Sequence, residues 1–190
     1  MRIIAGSRGG LQLKAPKGYT VRPTADQVRE AIFNILVSRF TLQGAAVLDL
    51  FAGTGALGLE ALSRGAASVV FVDPHPEAQR TIRTNLRTTG FRQRGRVLRA
   101  YAATGLKIVA QQGLRFDGVF VDPPYAEGWV DKTLRALAGG RLLNPDAWVV
   151  VEHDPHESGA ETYTGLVLTD RRRYGKTGVS FYQHQDEEAV

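Results

Sequence analysis

From residue 46 onward the chain alternates short apolar runs with stretches whose apolar residues recur every three or four positions. This alternation constrains the fold more than any other feature. The runs cover residues 46–50, 68–72, 97–101, a stretch containing 119–121, and 147–152. Each is too short for a stable helix, and most are rich in valine, as in strands buried on both faces. Between them, Leu57, Ala61 and Leu62 share one helical face that closes near Gly65, and Ala78, Ile82 and Leu86 share another that ends near Gly90. A third helix is predicted to run through Ile108 and a fourth over residues 129–137. Strands joined through helices form βαβ units, so the fold class is α/β, with a mostly parallel sheet and helices on both faces. The last two runs, 166–168 and 179–182, lack a helix between them and are expected to pair antiparallel at one edge. Upstream, Val28, Ile32, Ile35 and Leu36 place a helix over residues 25–39, with Thr24 and Gln27 at capping-box spacing. Residues 1–20 alternate weakly around Gly6, Gly9, Gly10 and Gly18 and read as a short hairpin or arm. The expected organisation is an arm over 1–22, one α/β domain over 23–184, and an acidic tail over 185–190 that frays.

Composition excludes several function classes. At 190 residues the chain can bury one sizeable core. No run approaches the roughly 20 apolar residues of a membrane span, and the N-terminus lacks a signal peptide's long apolar core. With no cysteine there is no disulfide, thiolate nucleophile or cysteine-held metal, and a cytoplasmic location is expected. The four histidines show no metal-ligand spacing, so no metal is expected. Net charge is +5 although acids crowd the extreme C-terminus, so the body is more basic than the total. Seven arginines fall between Arg80 and Arg99, and Arg171, Arg172 and Arg173 stand near Lys176. Such a surface suits a polyanion, though solvated arginines account for it equally.

The first strand runs into Asp49-Leu50-Phe51-Ala52-Gly53-Thr54-Gly55-Ala56-Leu57-Gly58. Gly53, Gly55 and Gly58 match the G-x-G-x-x-G spacing, which permits a tight turn and close approach of a ligand to the backbone. A nicotinamide-dependent oxidoreductase shows the same pattern. Asp49 favours a different ligand: a carboxylate there repels a pyrophosphate but suits a cationic amino group. Asp73, at the end of the next strand, can accept hydrogen bonds from ribose hydroxyls, or can cap the helix that Pro74 and Pro76 open. An adenosine joined to an amino acid satisfies both acids, and S-adenosylmethionine is such a molecule.

The fourth strand ends in Asp122-Pro123-Pro124-Tyr125. Alone this is good β-turn chemistry. Beside the glycine loop it suits methylation of an exocyclic base amine, whose nitrogen lone pair is delocalised into the ring. The Asp122 carboxylate and the Pro123 carbonyl can accept the two amino hydrogens, freeing that lone pair. Pro123 and Pro124 stiffen the backbone that carries these acceptors. Tyr125 offers a face for the base.

Residues 48–66 and the VDPPY stretch resemble class I S-adenosylmethionine-dependent methyltransferases that act on exocyclic base amines. The opening MRIIAGSRGG, the stretch RPTADQVREAIFNIL at 22–36, and YGKTGVSFY at 174–182 are similar to one branch, the bacterial 16S ribosomal RNA guanine-N2 methyltransferases. The resemblance spans nearly the whole chain. It implies a Rossmann-like, seven-stranded sheet with an antiparallel last strand. It also implies methyl transfer to N2 of a guanine in the assembled or assembling small subunit by a monomer. By position, it implies that Asp49, Phe51, Ala52, Gly53, Thr54 and Gly55 cradle the methionine end, and that Asp73 with Pro74 holds the ribose. Tyr101 and Ala102 fall where the family usually has an acid beside the adenine. Tyr101 cannot supply that carboxylate, and its default reading is a core aromatic.

RNA contacts are expected from Arg2, Arg8, Arg22 and Arg29 on an N-terminal arm, and from Arg171, Arg172, Arg173 and Lys176 in a loop before the last strand. Arg92, Arg94, Arg96 and Arg99 are read as solvated, and His153 is given no role. The competing functions are a DNA adenine-N6 methyltransferase, a nicotinamide-dependent oxidoreductase, and a non-catalytic RNA-binding module.

Overall fold

The computed structural model describes residues 1–15, 23–125 and 127–185. Arg22 and the acidic end of the tail lie outside the described residues. The strands are β1 (Ala46–Leu50), β2 (Ser68–Val72), β3 (Gly95–Leu98), β4 (Phe116–Val121), β5 (Leu143–His153), β6 (Thr162–Tyr163), β7 (Leu166–Tyr174) and β8 (Thr177–His184). The helices are α1 (Pro23–Arg39), α2 (Ala56–Ser63), α3 (Pro76–Thr89), α4 (Ala102–Gln111) and α5 (Trp129–Ala138).

The strands form one sheet in the order β3-β2-β1-β4-β5-β8-β7-β6. The first five are parallel. β8 runs antiparallel between β5 and β7, and the eighth strand beyond the expected seven is the two-residue β6 on the edge. This is the α/β fold expected, with β1 and β4 adjacent at the centre.

Side chains alternate across the sheet, so each strand feeds two cores. Val47, Val69, Phe71, Phe120, Trp148 and Phe181 pack under Ile32, Phe33 and Leu36 of α1, Leu59 and Leu62 of α2, and Ile82 and Leu86 of α3. Leu48, Leu50, Val72, Val119, Val121 and Val149 pack under Leu106 and Val109 of α4 and Val130, Leu134 and Leu137 of α5.

Several boundaries differ from expectation. α1 begins at Pro23, so Thr24 lies inside the helix rather than capping it. β3 ends at Leu98, because residues 99–101 turn away to let Tyr101 serve as the N-cap of α4. β5 extends back to Leu143 across Pro145 through a bulge, where Asp146 has φ 60° and the Asn144 amide donates to Asp117 at 2.7 Å. At the other end of the chain, Gln185 is tied down, its N–H donating to the Gly165 carbonyl at 2.9 Å.

Residues 1–15 form a hairpin, with Arg2 bridged to Gln12 around a 3-10 turn at Gly6–Arg8. It is not a free arm. Ile3 and Leu13 enter the core. The fully buried carboxylate of Glu60 accepts the N–H groups of Ile4 at 2.7 Å and Ala5 at 3.0 Å while pairing with Arg64 at 2.7 Å. Glu60 would carry an unpaired charge into the core without these three partners.

Candidate active site

The carboxyl ends of the parallel strands gather the expected residues. Leu50 pairs with Val121 and Val72, and Val121 with Val151. The residues that follow, the glycine loop, Asp73, Asp122 and Glu152, therefore rim one crevice, where ligands of open α/β sheets bind.

The loop turns sharply after β1. Phe51, Gly53 and Gly55 have φ of 59°, 52° and 77°. For Phe51 this is a strained conformation of the kind held at functional sites. A Cβ on Gly53 would meet nothing closer than 3.9 Å, which leaves an open cradle above the turn. Gly58 is small for another reason: a Cβ there would collide with the Phe71 ring and come within 2.8 Å of Val69.

Asp73 holds the loop in shape. One carboxylate oxygen accepts the Gly53 N–H at 2.9 Å and the other the His75 N–H at 2.9 Å. Its capping role is thus an Asx turn before α3, whose N-cap is His75. Pro74 follows, half-buried, at the rim. Ala52 and Thr54 are buried in the loop's base.

Asp49 was expected to meet a ligand amino group directly. Its carboxylate instead lies beneath the loop, 1% exposed, accepting the Gly58 N–H of α2 at 3.0 Å. Burial first, and then Asp73, push its pKa up to about 8. A buried acid with no ion-pair partner among the described residues is poised to gain from a positive ligand nearby.

Asp122 is open to the crevice. It is nevertheless ringed by enough protein that desolvation, then Glu152 and Asp49, raise its pKa well above the carboxylate range. Accessible to a ligand yet crowded by atoms is the condition of a group on a crevice floor. Pro123 is buried and Pro124 exposed. Tyr125 is 41% exposed, and its hydroxyl donates to Glu152 at 3.4 Å. Phe51 and Trp129 close one wall with ring centroids 6.2 Å apart.

Glu152 and Trp129 are site residues that sequence reasoning missed. The signal for Glu152 was present: an acid ends the fifth strand as Asp122 follows the fourth. Trp129 becomes visible only when α5 is placed over the loop.

Tyr101 is 71% exposed at the crevice end of the sheet and is no core aromatic. As the N-cap of α4 it projects outward, whereas Ala102 packs into the core beside Leu98 and Leu106.

The basic residues separate sharply. Arg29 is 5% exposed and cannot reach RNA: its guanidinium donates to the Arg2 carbonyl at 2.5 Å and to Asp26 at 3.1 Å, fastening α1 to the hairpin. Arg8 donates to the Thr89 carbonyl at 2.7 Å, at the C-terminus of α3. That is about 20 Å, the length of a 14-residue helix, from the crevice end. Arg2 is exposed.

Arg171 to Arg173 lie within strand β7, not in a loop. Arg171 donates to Ser180 Oγ at 3.2 Å and to the Gly159 carbonyl at 2.9 Å, and Arg172 pairs with Asp170 at 3.0 Å. Arg173 donates to the nearby Gly175 carbonyl at 3.0 Å, and Lys176 stands exposed at the hairpin tip. Because His153 pairs with Gly178, that tip rises at the crevice end. Arg94, read as solvated, instead caps α2 through the carbonyls of Leu62, Ala66 and Ala67. His153 is structural, held between Ser180 Oγ and the Asp154 carbonyl, each at 2.8 Å.

A cleft of about 560 Å³ opens at the opposite end of the sheet among Arg39, Asp117, Asp146 and Gln183. Two of its side chains are paired, Arg39 with Asp170 at 2.7 Å and Gln183 with Asp146 at 3.2 Å. The chemistry-bearing residues lie at the other end, along the carboxyl ends of the parallel strands.

Residues 1–183 match the family model described as Conserved hypothetical protein 95. The chain belongs to this family. It is 41% identical over 183 residues to "Putative rRNA methyltransferase YlbH" of Bacillus subtilis, covering 96% of this chain and 98% of that one. It is 33% identical over 186 residues to "Ribosomal RNA small subunit methyltransferase D" of Escherichia coli K12, covering 97% and 90%. A solved structure, "Putative methyltransferase yhhF from Escherichia coli", superposes with a TM-score of 0.82 at 32% identity, covering 97% and 98%. The family fold is that of methyltransferases that use S-adenosylmethionine. The residues present fit that cofactor in kind: an open glycine cradle, Asp73 beside it, and the carboxyl groups of Asp49 and Asp122 close to the same loop.

Proposed function

We propose that the chain transfers one methyl group from S-adenosylmethionine to the exocyclic N2 of a guanine in 16S rRNA of the small ribosomal subunit. The observation that carries this reading is the pairing of an accessible Asp122 and Tyr125 with a glycine cradle on the adjacent strand. The likeness of 33% over nearly the whole chain to a small-subunit rRNA methyltransferase supports the choice of RNA.

When bound, S-adenosylmethionine would supply an electrophilic methyl group, its sulfur–carbon bond breaking as the nitrogen–carbon bond forms and S-adenosylhomocysteine leaving. The glycine loop receives its methionine end, with Asp49 stabilising positive charge from below and Asp73 accepting from the ribose. Tyr101 lies on the adenine side, where ring packing replaces the family's usual acid. Asp122 and the Pro123 carbonyl accept the two amino hydrogens of guanine, and Tyr125 stacks on its ring. As the nitrogen bonds to carbon it becomes positive, and acceptors aimed at it stabilise that charge. The nitrogen then loses one proton. Asp122 or water receives it, and the desolvation that raises the Asp122 pKa makes its carboxylate the stronger base. Glu152 holds Tyr125 and adds to the negative potential.

Arg173, Lys176 and Arg2 supply phosphate contacts, which position the RNA without reading its sequence. The guanine must be unstacked to enter the crevice. A ribosomal substrate places the chain in the cytoplasm, acting as a monomer on the assembled or assembling subunit. Among the described residues no helix is long and apolar enough to cross a membrane. Nucleoside analysis after methyl transfer to undermethylated small subunits tests the proposal. N2-methylguanosine is expected, and N6-methyladenosine from duplex DNA offered in parallel would contradict it.

A further inference from the structure

Asn85, on α3, is fully buried although its side chain is a polar amide. Its oxygen accepts the Lys14 N–H at 2.8 Å. Its nitrogen donates both hydrogens, to the Lys14 carbonyl at 3.0 Å and to the Thr54 carbonyl at 3.2 Å. One amide therefore grips the backbone of the N-terminal hairpin on one side and the glycine loop on the other. A second contact joins the same two segments: Thr54 Oγ1 donates to Met1 Sδ at 3.5 Å. On its far side the loop is held by Asp73, through Gly53.

The two segments differ in how they are held. The turn of the hairpin is fastened far from the crevice, by Glu60, by Ser63 and by Arg8 on Thr89. Its open end, residues 1–2 and 12–15, reaches the glycine loop, where Asn85 and the Thr54–Met1 contact tie the two together. Met1, Arg2 and Lys14 are not fully buried. A residue whose two donors are divided between two segments transmits a shift of one to the other.

We propose that Asn85 is a positioning residue that couples occupancy of the glycine loop to ordering of the N-terminal hairpin's open end. Cofactor binding fixes the loop, the Thr54 carbonyl fixes the Asn85 amide, and the amide fixes Lys14. By linkage the coupling is reciprocal: a partner that engages the open end, as RNA would, tightens the loop around the cofactor. The proposal rests on the cofactor part of the reading above and not on the identity of the RNA.

Hydrogen exchange of the backbone amides, with and without S-adenosylhomocysteine, tests it without any RNA or turnover. In the native chain the ligand is expected to slow exchange several-fold at Gly53 and Gly55 and also at Lys14 and Leu13. In Asn85→Asp the carboxylate can accept from Lys14 but cannot donate to either carbonyl. There the loop is expected to stay protected while Lys14 and Leu13 lose their ligand-dependent protection, with β1 and β4 amides unchanged. Affinity for the ligand should fall several-fold. Asn85→Ala is the second variant and should behave alike. Loop protection without hairpin protection in the native chain overturns the proposal, whatever the variants do. So does ligand-dependent hairpin protection that survives in both variants, since Asn85 would then only fill the core. No binding and no protection anywhere would overturn the cofactor reading along with it.

Discussion

At the scale of single residues, the crevice is defined by acids that have no ion-pair partner among the described residues. Asp49, Asp122 and Glu152 all have pKa values raised chiefly by desolvation. For Asp49 the folded carboxyl keeps its proton up to about pH 8, while the unfolded one loses it near 3.8. Across that interval the unfolded chain binds fewer protons, so this contribution to stability is complete below about pH 4 and is lost as pH rises to 8. Asp49→Asn should therefore flatten the fall of the thermal midpoint between pH 5 and 8. Equal slopes in the two proteins would remove the burial argument. A cationic ligand should draw these pKa values down, so cofactor binding at pH 7 should release protons. Calorimetry in two buffers of different ionisation enthalpy reads that release directly. Asp122→Asn, which spoils one acceptor, should lower the methyl-transfer rate by about 10²–10³ while changing cofactor affinity only a few-fold. Near-native turnover would exclude Asp122 from the chemistry.

At the scale of elements, the basic groups divide between structure and contact. Arg94 should behave as a helix cap. Arg94→Ala is expected to lower stability by about 1–3 kcal/mol, because part-buried carbonyls at and just beyond the end of α2 lose a charged donor; an unchanged denaturation midpoint would contradict this. Arg173 and Lys176 on the β7–β8 hairpin should behave as phosphate contacts. Changing both to alanine should weaken RNA binding and reduce the slope of log affinity against log salt by up to about 2. Arg171→Ala should instead reduce stability, since its partners are Ser180 and the Gly159 carbonyl. The strands and helices were legible because valine-rich runs and three-to-four spacing are local properties. The division among the arginines was not, because it depends on which carbonyls lie nearby in space. In sequence Arg29 reads as an RNA contact and Arg94 as solvated, yet each is committed to backbone oxygens of a distant segment. Glu60 and Asn85 escaped notice for the same reason: a polar residue on a helix shows its purpose only when the hairpin it grips is folded against it.

At the scale of the whole molecule, the sheet order places the first and fourth strands side by side, and that adjacency turns two weak motifs into one site. Each motif has an ordinary alternative, a dinucleotide turn for the glycines and a β-turn for Asp122 to Tyr125. Their shared crevice favours group transfer to a planar amine. The measurement that tests this most directly is transfer of labelled methyl from S-adenosylmethionine to undermethylated small subunits, with free rRNA and duplex DNA in parallel and nucleoside analysis of each product. The account predicts label in N2-methylguanosine, strongest with the subunit. Label in N6-methyladenosine, or none despite measurable cofactor binding, would contradict it.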